Sequence, residues 1–134
     1  MKVHKSVQSI RQALAQRSDL TVGFIPTMGH LHTGHAALIQ ASLKTNDLTV
    51  VSIFVNKQQF NCQDDFNNYP RTEAADRLFC NNLGVDHLFT PEATFAANQS
   101  LNIQCLMQTD HPQYQLRPGH FEGMLSIVLK LLNV

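Results

Sequence analysis

Several features that would signal common functions are missing from this 134-residue chain. Neither charge is in surplus, with Lys and Arg numbering 10 and Asp and Glu numbering 10. The basic face that neutralises a nucleic-acid backbone is therefore absent, and a general DNA or RNA binder is not expected. The three cysteines, Cys62, Cys80 and Cys105, include no close pair. That spacing suggests neither a disulfide framework nor a CxxC metal or redox unit, and it fits a reducing, cytoplasmic setting. No apolar run reaches membrane-spanning length, and the N-terminal stretch lacks the apolar segment of a signal peptide. Internal repeats, low-complexity segments and a GxxxxGK(S/T) phosphate loop are missing too.

What is present describes a chain that can bury a core. Hydrophobic residues make up 43% and charged residues 15%, so a folded state is expected rather than disorder, and the length suits one compact domain. Val7, Ile10, Ala13 and Leu14 recur at helical spacing after Ser6, a suitable cap, which predicts a helix to about Arg17. Thr21–Ile25 reads as a strand buried on both faces and stopped by Pro26. A helix follows from about Gly34 to Asn46 and Asp47. Leu48–Val55, nearly all apolar, has the character of a central strand in a parallel sheet. The polar stretch from Asn56 to Pro70 reads as a long loop anchored by Phe60, Phe66 and Tyr69.

Beyond it, Thr72 caps a predicted helix with Ala75, Leu78 and Phe79 inward and Gly84 as its end. Val85–Phe89 is a third strand candidate, Thr90-Pro91-Glu92 has the order of a short helix start, and Leu101–Met107 is a further strand candidate. A last helix from about Gly119 is expected to bury Leu125, Val128, Leu129 and Leu132. Strand and helix in alternation indicate an α/β fold with a Rossmann-like doubly wound parallel sheet, whose loops after successive strands face one crevice. The apolar helix end at Leu132-Asn133-Val134 looks like a fold truncated at its C-terminus.

The stretch Pro26-Thr27-Met28-Gly29-His30-Leu31-His32-Thr33-Gly34-His35 carries the chemistry. It joins a strand to a helix N-terminus, where free N–H groups and the positive dipole end favour a phosphate. Gly29 and Gly34 let the backbone approach a ligand closely. His32 and His35 can point to one side of a first helical turn and hold a triphosphate oxygen as charge moves onto leaving pyrophosphate. Two other readings fit the same residues. One is a polar loop that is merely rich in histidine. The other is a zinc site from His30, His32 and His35, disfavoured because no Asp, Glu or Cys stands nearby to complete the shell.

HTGH at 32–35 resembles the His-x-Gly-His signature of the nucleotidyltransferase superfamily, and PTMGHLHTGH is similar to that stretch in the pantothenate synthetase, or pantoate–β-alanine ligase, family. Three further segments agree in order: Ser52–Asn56 with Gln59-Phe60, Tyr69-Pro70-Arg71-Thr72, and Arg117-Pro118-Gly119-His120-Phe121. The resemblance runs from about residue 5 to 134. It implies an enzyme that condenses pantoate with β-alanine through a pantoyl-adenylate, consuming ATP with magnesium and releasing AMP and pyrophosphate. It assigns Met28, Gly29, His30, Leu31, His32, Thr33, Gly34 and His35 to ATP, with His35 as proton donor and His32 beside it. It gives Gln59 to pantoate and the β-alanine site, with Pro26 and Asn56 as further candidates for substrate binding; Arg117 and His120 fit equally a contact to the pantoate carboxylate and a cap on the following helix, and no resident metal is expected.

Residues 1–134 then correspond to the family's N-terminal ATP- and pantoate-binding domain. Lys57 stands where the family usually has proline, Thr33 where it commonly has an acidic residue, and Glu122 where a basic one is frequent. The family's later Gly-x-Lys-Asp-x-Gln-Gln and Met-Ser segments have no counterpart, so the chain alone is expected to be catalytically incomplete. Partners implied are the small-molecule substrates, without nucleic acid or membrane, and a homodimer is left open. The rival readings are another His-x-Gly-His nucleotidylyltransferase and a non-catalytic nucleotide- or metal-binding module.

Overall fold

The computed structural model describes residues 1–16, 19–97 and 112–134. In chain order they form β1 (Lys2–His4), α1 (Val7–Ala15), β2 (Val22–Thr27), α2 (Thr33–Thr45), β3 (Leu48–Ile53), a 3₁₀ turn (Lys57–Gln59), α3 (Gln63–Asn68), α4 (Glu73–Leu83), β4 (His87–Phe89), α5 (Thr94–Ala97), α6 (Pro112–Leu116) and α7 (His120–Leu132). These residues fall into two compact units. The first takes in residues 1–55 and 70–92 with Val134, and the second residues 56–69 and 93–133.

The first unit holds a parallel four-stranded sheet in the order β1-β4-β3-β2, the Rossmann-like α/β class expected. Leu48–Ile53 is a central strand, buried over nearly its whole length. Ile25, Ile39, Val51, Cys80, Val85 and Leu88 form the core cluster. Burying a side chain such as Ile39, at 0% exposure, contributes about 2 kcal/mol.

Two strand expectations are corrected. Pro26 does not stop β2 but pairs with Ser52 inside it. β2 lies at the end of the sheet, where one side of the strand makes no ladder bonds and a missing N–H is tolerated. For the same reason β2 is not buried on both faces: Val22 and Pro26 are exposed, while Ile25 and Thr27 are buried. β1, absent from the sequence reading, pairs with β4. Its His4 sits in a buried polar chain, with Nδ1 2.7 Å from Ser9 Oγ and Nε2 2.9 Å from His87 Nδ1.

Helix boundaries agree better than helix faces. Ser6 caps α1 by accepting from the Ser9 N–H, and Gly84 closes α4 in the left-handed conformation at φ 89. Along α4, however, Ala75 is exposed and Leu78 is 60% exposed, whereas Asp76 and Cys80 are buried. Burial, with Asp76 nearby, pushes the Cys80 thiol up to about 11, which keeps it protonated and unreactive near neutrality.

Residues 56–70 are not one long loop, since they include the 3₁₀ turn and α3. The aromatic anchor is present, with Phe60 edge-on to both Phe66 and Tyr69 at centroid distances of 5.5 Å. The short helix expected at Thr90-Pro91-Glu92 begins later, at Thr94. Helix α7 buries Gly123, Ser126, Ile127 and Leu131, not the expected face, and Leu129 and Leu132 are exposed. The Leu101–Met107 strand candidate and Cys105 lie outside the described residues. No helix among the described residues is long and apolar enough to cross a membrane.

Candidate functional site

The turn between β2 and α2 is held from three sides. At the end of β2, Thr27 Oγ1 donates to the Ser52 carbonyl (2.7 Å) and accepts from the Gly29 N–H (3.2 Å). Gly29 and His30 follow with φ 85 and 54, and His30 is the one non-glycine residue with positive φ among the described residues. Successive residues in this conformation turn their N–H groups toward a common point, a concavity suited to an anion. Here that anion is internal. Asp76, 4% exposed on α4, accepts from His30 N–H at Oδ2 (3.0 Å) and from Leu31 N–H at Oδ1 (2.8 Å). Thr72 Oγ1 also donates to Oδ2, at 3.0 Å. A Cβ on Gly29 would lie 3.0 Å from Asp76 Oδ2 and 3.1 Å from Ile53 Cγ2, so both backbone conformation and space require glycine there.

Helix α2 begins with a reciprocal cap made by two histidines. His32, extended at φ −140, accepts the Gly34 N–H at its own Nδ1 (3.1 Å), and His35 Nδ1 accepts the His32 N–H (3.3 Å). A ring nitrogen that accepts an N–H carries no proton, so each neutral imidazole bears its proton on Nε2. The rings lie 4.1 Å apart between centroids. Gly34 makes this possible, because a Cβ at that position would approach His32 Cε1 to 2.9 Å. Burial, and then His32 beside it, pull the His35 pKa below the usual histidine value, while the Asp76 carboxylate works in the opposite direction. The helix cannot satisfy the amides of its own first turn. The His32 ring meets the Gly34 N–H and, in the capping box, the His35 N–H, and the His32 carbonyl meets the Ala36 N–H, which leaves the Thr33 amide for an anion.

The structure thus divides the expected nucleotide loop. Met28 to His35 are contiguous and Pro26 precedes them in β2, but the amides of His30 and Leu31 are committed to Asp76. The donors on offer begin at His32. Asp76 is the residue the sequence reading missed. The available signal was an acidic side chain on a helix otherwise spaced for burial, four residues after Thr72. No cluster of three or more His, Cys, Asp or Glu among the described residues is arranged to hold a metal.

The remaining candidates belong to the second unit. Asn56 is wholly buried, its Nδ2 donating to the Gly123 carbonyl (3.0 Å) and its Oδ1 accepting from the Gln58 N–H (3.3 Å). It ties the 3₁₀ turn to α7. Lys57 opens that turn. Gln59 is half-buried, and its backbone carbonyl accepts from His120 Nδ1 (2.8 Å). A carbonyl oxygen can only accept, so this ring carries its proton on Nδ1 and leaves Nε2 as an acceptor. Arg117 is exposed one turn before α7, and its carbonyl takes the His120 N–H at 3.2 Å.

A parallel α/β unit whose first long strand leads into a helix capped by paired histidines is of the Rossmann-like class, whose ligands lie at the carboxyl ends of the strands. The comparison with known families is more specific. A family profile for pantoate-beta-alanine ligase matches residues 2–134, and the chain belongs to that family. It is similar to pantothenate synthetases from Bacillus cereus (strain B4264), at 38% identity, and Exiguobacterium sibiricum, at 41%. Each match takes in 100% of this chain and 49% or 48% of the relative. Among solved structures, a pantoate-beta-alanine ligase from Francisella tularensis, complexed with beta-gamma ATP and beta-alanine, matches with a TM-score of 0.91 and 38% identity. That match covers 99% of this chain and 52% of the other. A pantothenate synthetase from Thermus thermophilus matches at 0.86 and 34% identity, over 98% and 48%. The chain spans about half the length of the relatives it matches.

Proposed function

We propose that this chain is the ATP- and pantoate-binding part of a ligase that joins pantoate to β-alanine. The observation that carries the reading is the paired cap at His32 and His35 at a helix N-terminus, where backbone N–H groups occupy both Nδ1 atoms and leave the two Nε2–H groups as donors. A carboxylate is a poor acyl donor. In the reaction a pantoate carboxylate oxygen bonds to the α-phosphorus of ATP and the bond to pyrophosphate breaks, giving pantoyl-adenylate. The β-alanine amine then attacks the acyl carbon, AMP leaves with the bonding electrons, and the amine gives up a proton. Negative charge grows on the phosphate oxygens in the first step, and fixed N–H donors there lower its barrier.

His35 is the proton-donating partner of the phosphates, with His32 beside it and the Thr33 amide completing the donor set. Magnesium enters with ATP as the substrate complex. Gln59 takes pantoate through its amide, which both donates and accepts, as a hydroxy acid requires. Arg117 supplies an exposed cation for a substrate carboxylate, and His120 Nε2 an acceptor for its hydroxyl. The setting proposed is cytoplasmic, and a homodimer is compatible with it.

Calorimetric titration tests the reading. ATP with magnesium is expected to bind this chain weakly, pantoate is expected to bind, and phosphopantetheine is not. Binding of phosphopantetheine without pantoate would assign the chain to a different nucleotidylyltransferase. Turnover by the 134-residue chain is expected to be slow or nil, and robust pantothenate formation would contradict that part of the proposal.

A further inference from the structure

We infer that Asp76 is a positioning residue for the nucleotide loop: its buried carboxylate fills the concavity made by residues 29–31 and fixes the start of α2 before any ligand arrives. This rests on the nucleotide reading above and extends it to a residue on a different helix. The argument begins with what the loop does without that side chain. Gly29 and His30 hold left-handed backbones, a conformation that a residue such as His30 keeps only when its surroundings impose it. The two amides that follow point at Asp76, one to each carboxylate oxygen. Thr72 fixes the rotation of the carboxylate through Oδ2. Leu31 then packs against the core of the first unit, and the next residue is the histidine that caps α2.

An ionised carboxylate that accepts three protein donors in a buried position orders a segment strongly. The loop therefore enters nucleotide binding already shaped, and ATP does not have to offset the entropy of ordering it. The same carboxylate faces His35 closely enough to favour its protonated form. Asp76 thus acts on the nucleotide through two intermediaries, the loop backbone and the His35 ring, without touching it.

The test uses Asp76→Asn, which keeps the shape of the side chain but replaces one acceptor oxygen with a donor that confronts an N–H. The expected result is a folded chain whose ATP affinity, measured by calorimetry with magnesium, falls about tenfold or more. In the same variant the His35 ring should titrate at lower pH by NMR, because a charge that favoured the imidazolium is gone. The His30 and Leu31 amide signals should move with it. Asp76→Ala, with the carboxylate removed, should regain part of its ATP affinity in sodium formate and none in sodium chloride of equal ionic strength. Wild-type affinity in Asp76→Asn, together with an unmoved His35 titration, would overturn the proposal. If the unsubstituted chain binds no ATP, the nucleotide reading fails. The positioning claim is then decided by the His35 titration and the amide signals alone.

Discussion

Two helices in this protein start beside a histidine, and they use it in opposite ways. At α2 the rings of His32 and His35 accept backbone N–H groups at Nδ1, so what they present outward is a donor. At α7 the ring of His120 gives its Nδ1 proton to the Gln59 carbonyl, so what it presents is an acceptor. Backbone geometry sets the difference. α2 is entered through an extended residue whose side chain can turn back onto the helix. α7 is entered through Gly119 at φ 81, with no side-chain cap. Residue type and position along a helix therefore do not fix the chemistry of an imidazole; the backbone group it meets does. Donors suit the phosphates of a nucleotide, and an acceptor suits the hydroxyl of a hydroxy acid.

The comparison can be broken most severely at α7. A Cβ on Gly123 would sit 2.3 Å from the Gln58 carbonyl oxygen and 2.9 Å from the Gln59 nitrogen. Backbone atoms cannot step aside as a side-chain tip can, so Gly123→Ala should cost about 3 kcal/mol in urea unfolding and disturb the His120 contact. The matching change at α2 is milder, because the Cβ of Gly34→Ala meets only the His32 ring. Loss of that cap should cost about 1 kcal/mol, and ATP affinity should fall with it.

His32→Asn sharpens the contrast further. Asparagine is an excellent cap but lacks the outward Nε2–H, so stability should stay within about 0.5 kcal/mol while ATP binding weakens about tenfold. Equal loss of both would mean that the ring serves the helix alone.

The smallest effect expected is one of pH. His4 and His35 both titrate below the usual histidine value, through burial first, followed by Lys2 for His4 and His32 for His35. Unfolded, these rings take a proton near the ordinary value of about 6.5. Folded, they take it only at lower pH, so below 6.5 the unfolded chain binds more protons and stability falls as pH drops. Above that value neither ring contributes a slope. Urea unfolding at pH 7.5 and 5.5 should show the loss at the lower pH, and equal stability would contradict the neutral state of the buried His4 and half-buried His35 rings.

The readable parts of this protein were those that depend on local pattern. The apolar run Leu48–Val55 announces a central strand, which ends at Ile53; Ser6 marks a helix end through its side-chain oxygen and Gly84 through its left-handed backbone. The Gly-spaced histidines mark the start of α2, but their reciprocal capping was visible only once the backbone was in place. What escaped the sequence depends on partners far along the chain. Asp76 reads as a solvated charge until the amides of His30 and Leu31 are set beside it. Its inward turn rotates α4, so Leu78 faces outward. The face of α7 was ambiguous because Leu125, Ile127, Val128, Leu129, Leu131 and Leu132 crowd its whole circumference. Close approach of Gly123 to the Gln58 carbonyl selects Ile127 and Leu131 for burial. β1 carries only one aliphatic residue, Val3, and becomes a strand because β4 offers it an edge.

The most direct measurement is the proton position on each imidazole, read from two-bond nitrogen–proton NMR correlations of the chain at neutral pH. His32 and His35 should carry their proton on Nε2, and His120 on Nδ1. A proton on Nδ1 of His32 or His35 would mean that the rings do not cap α2, and the donor pair proposed for the nucleotide would not exist.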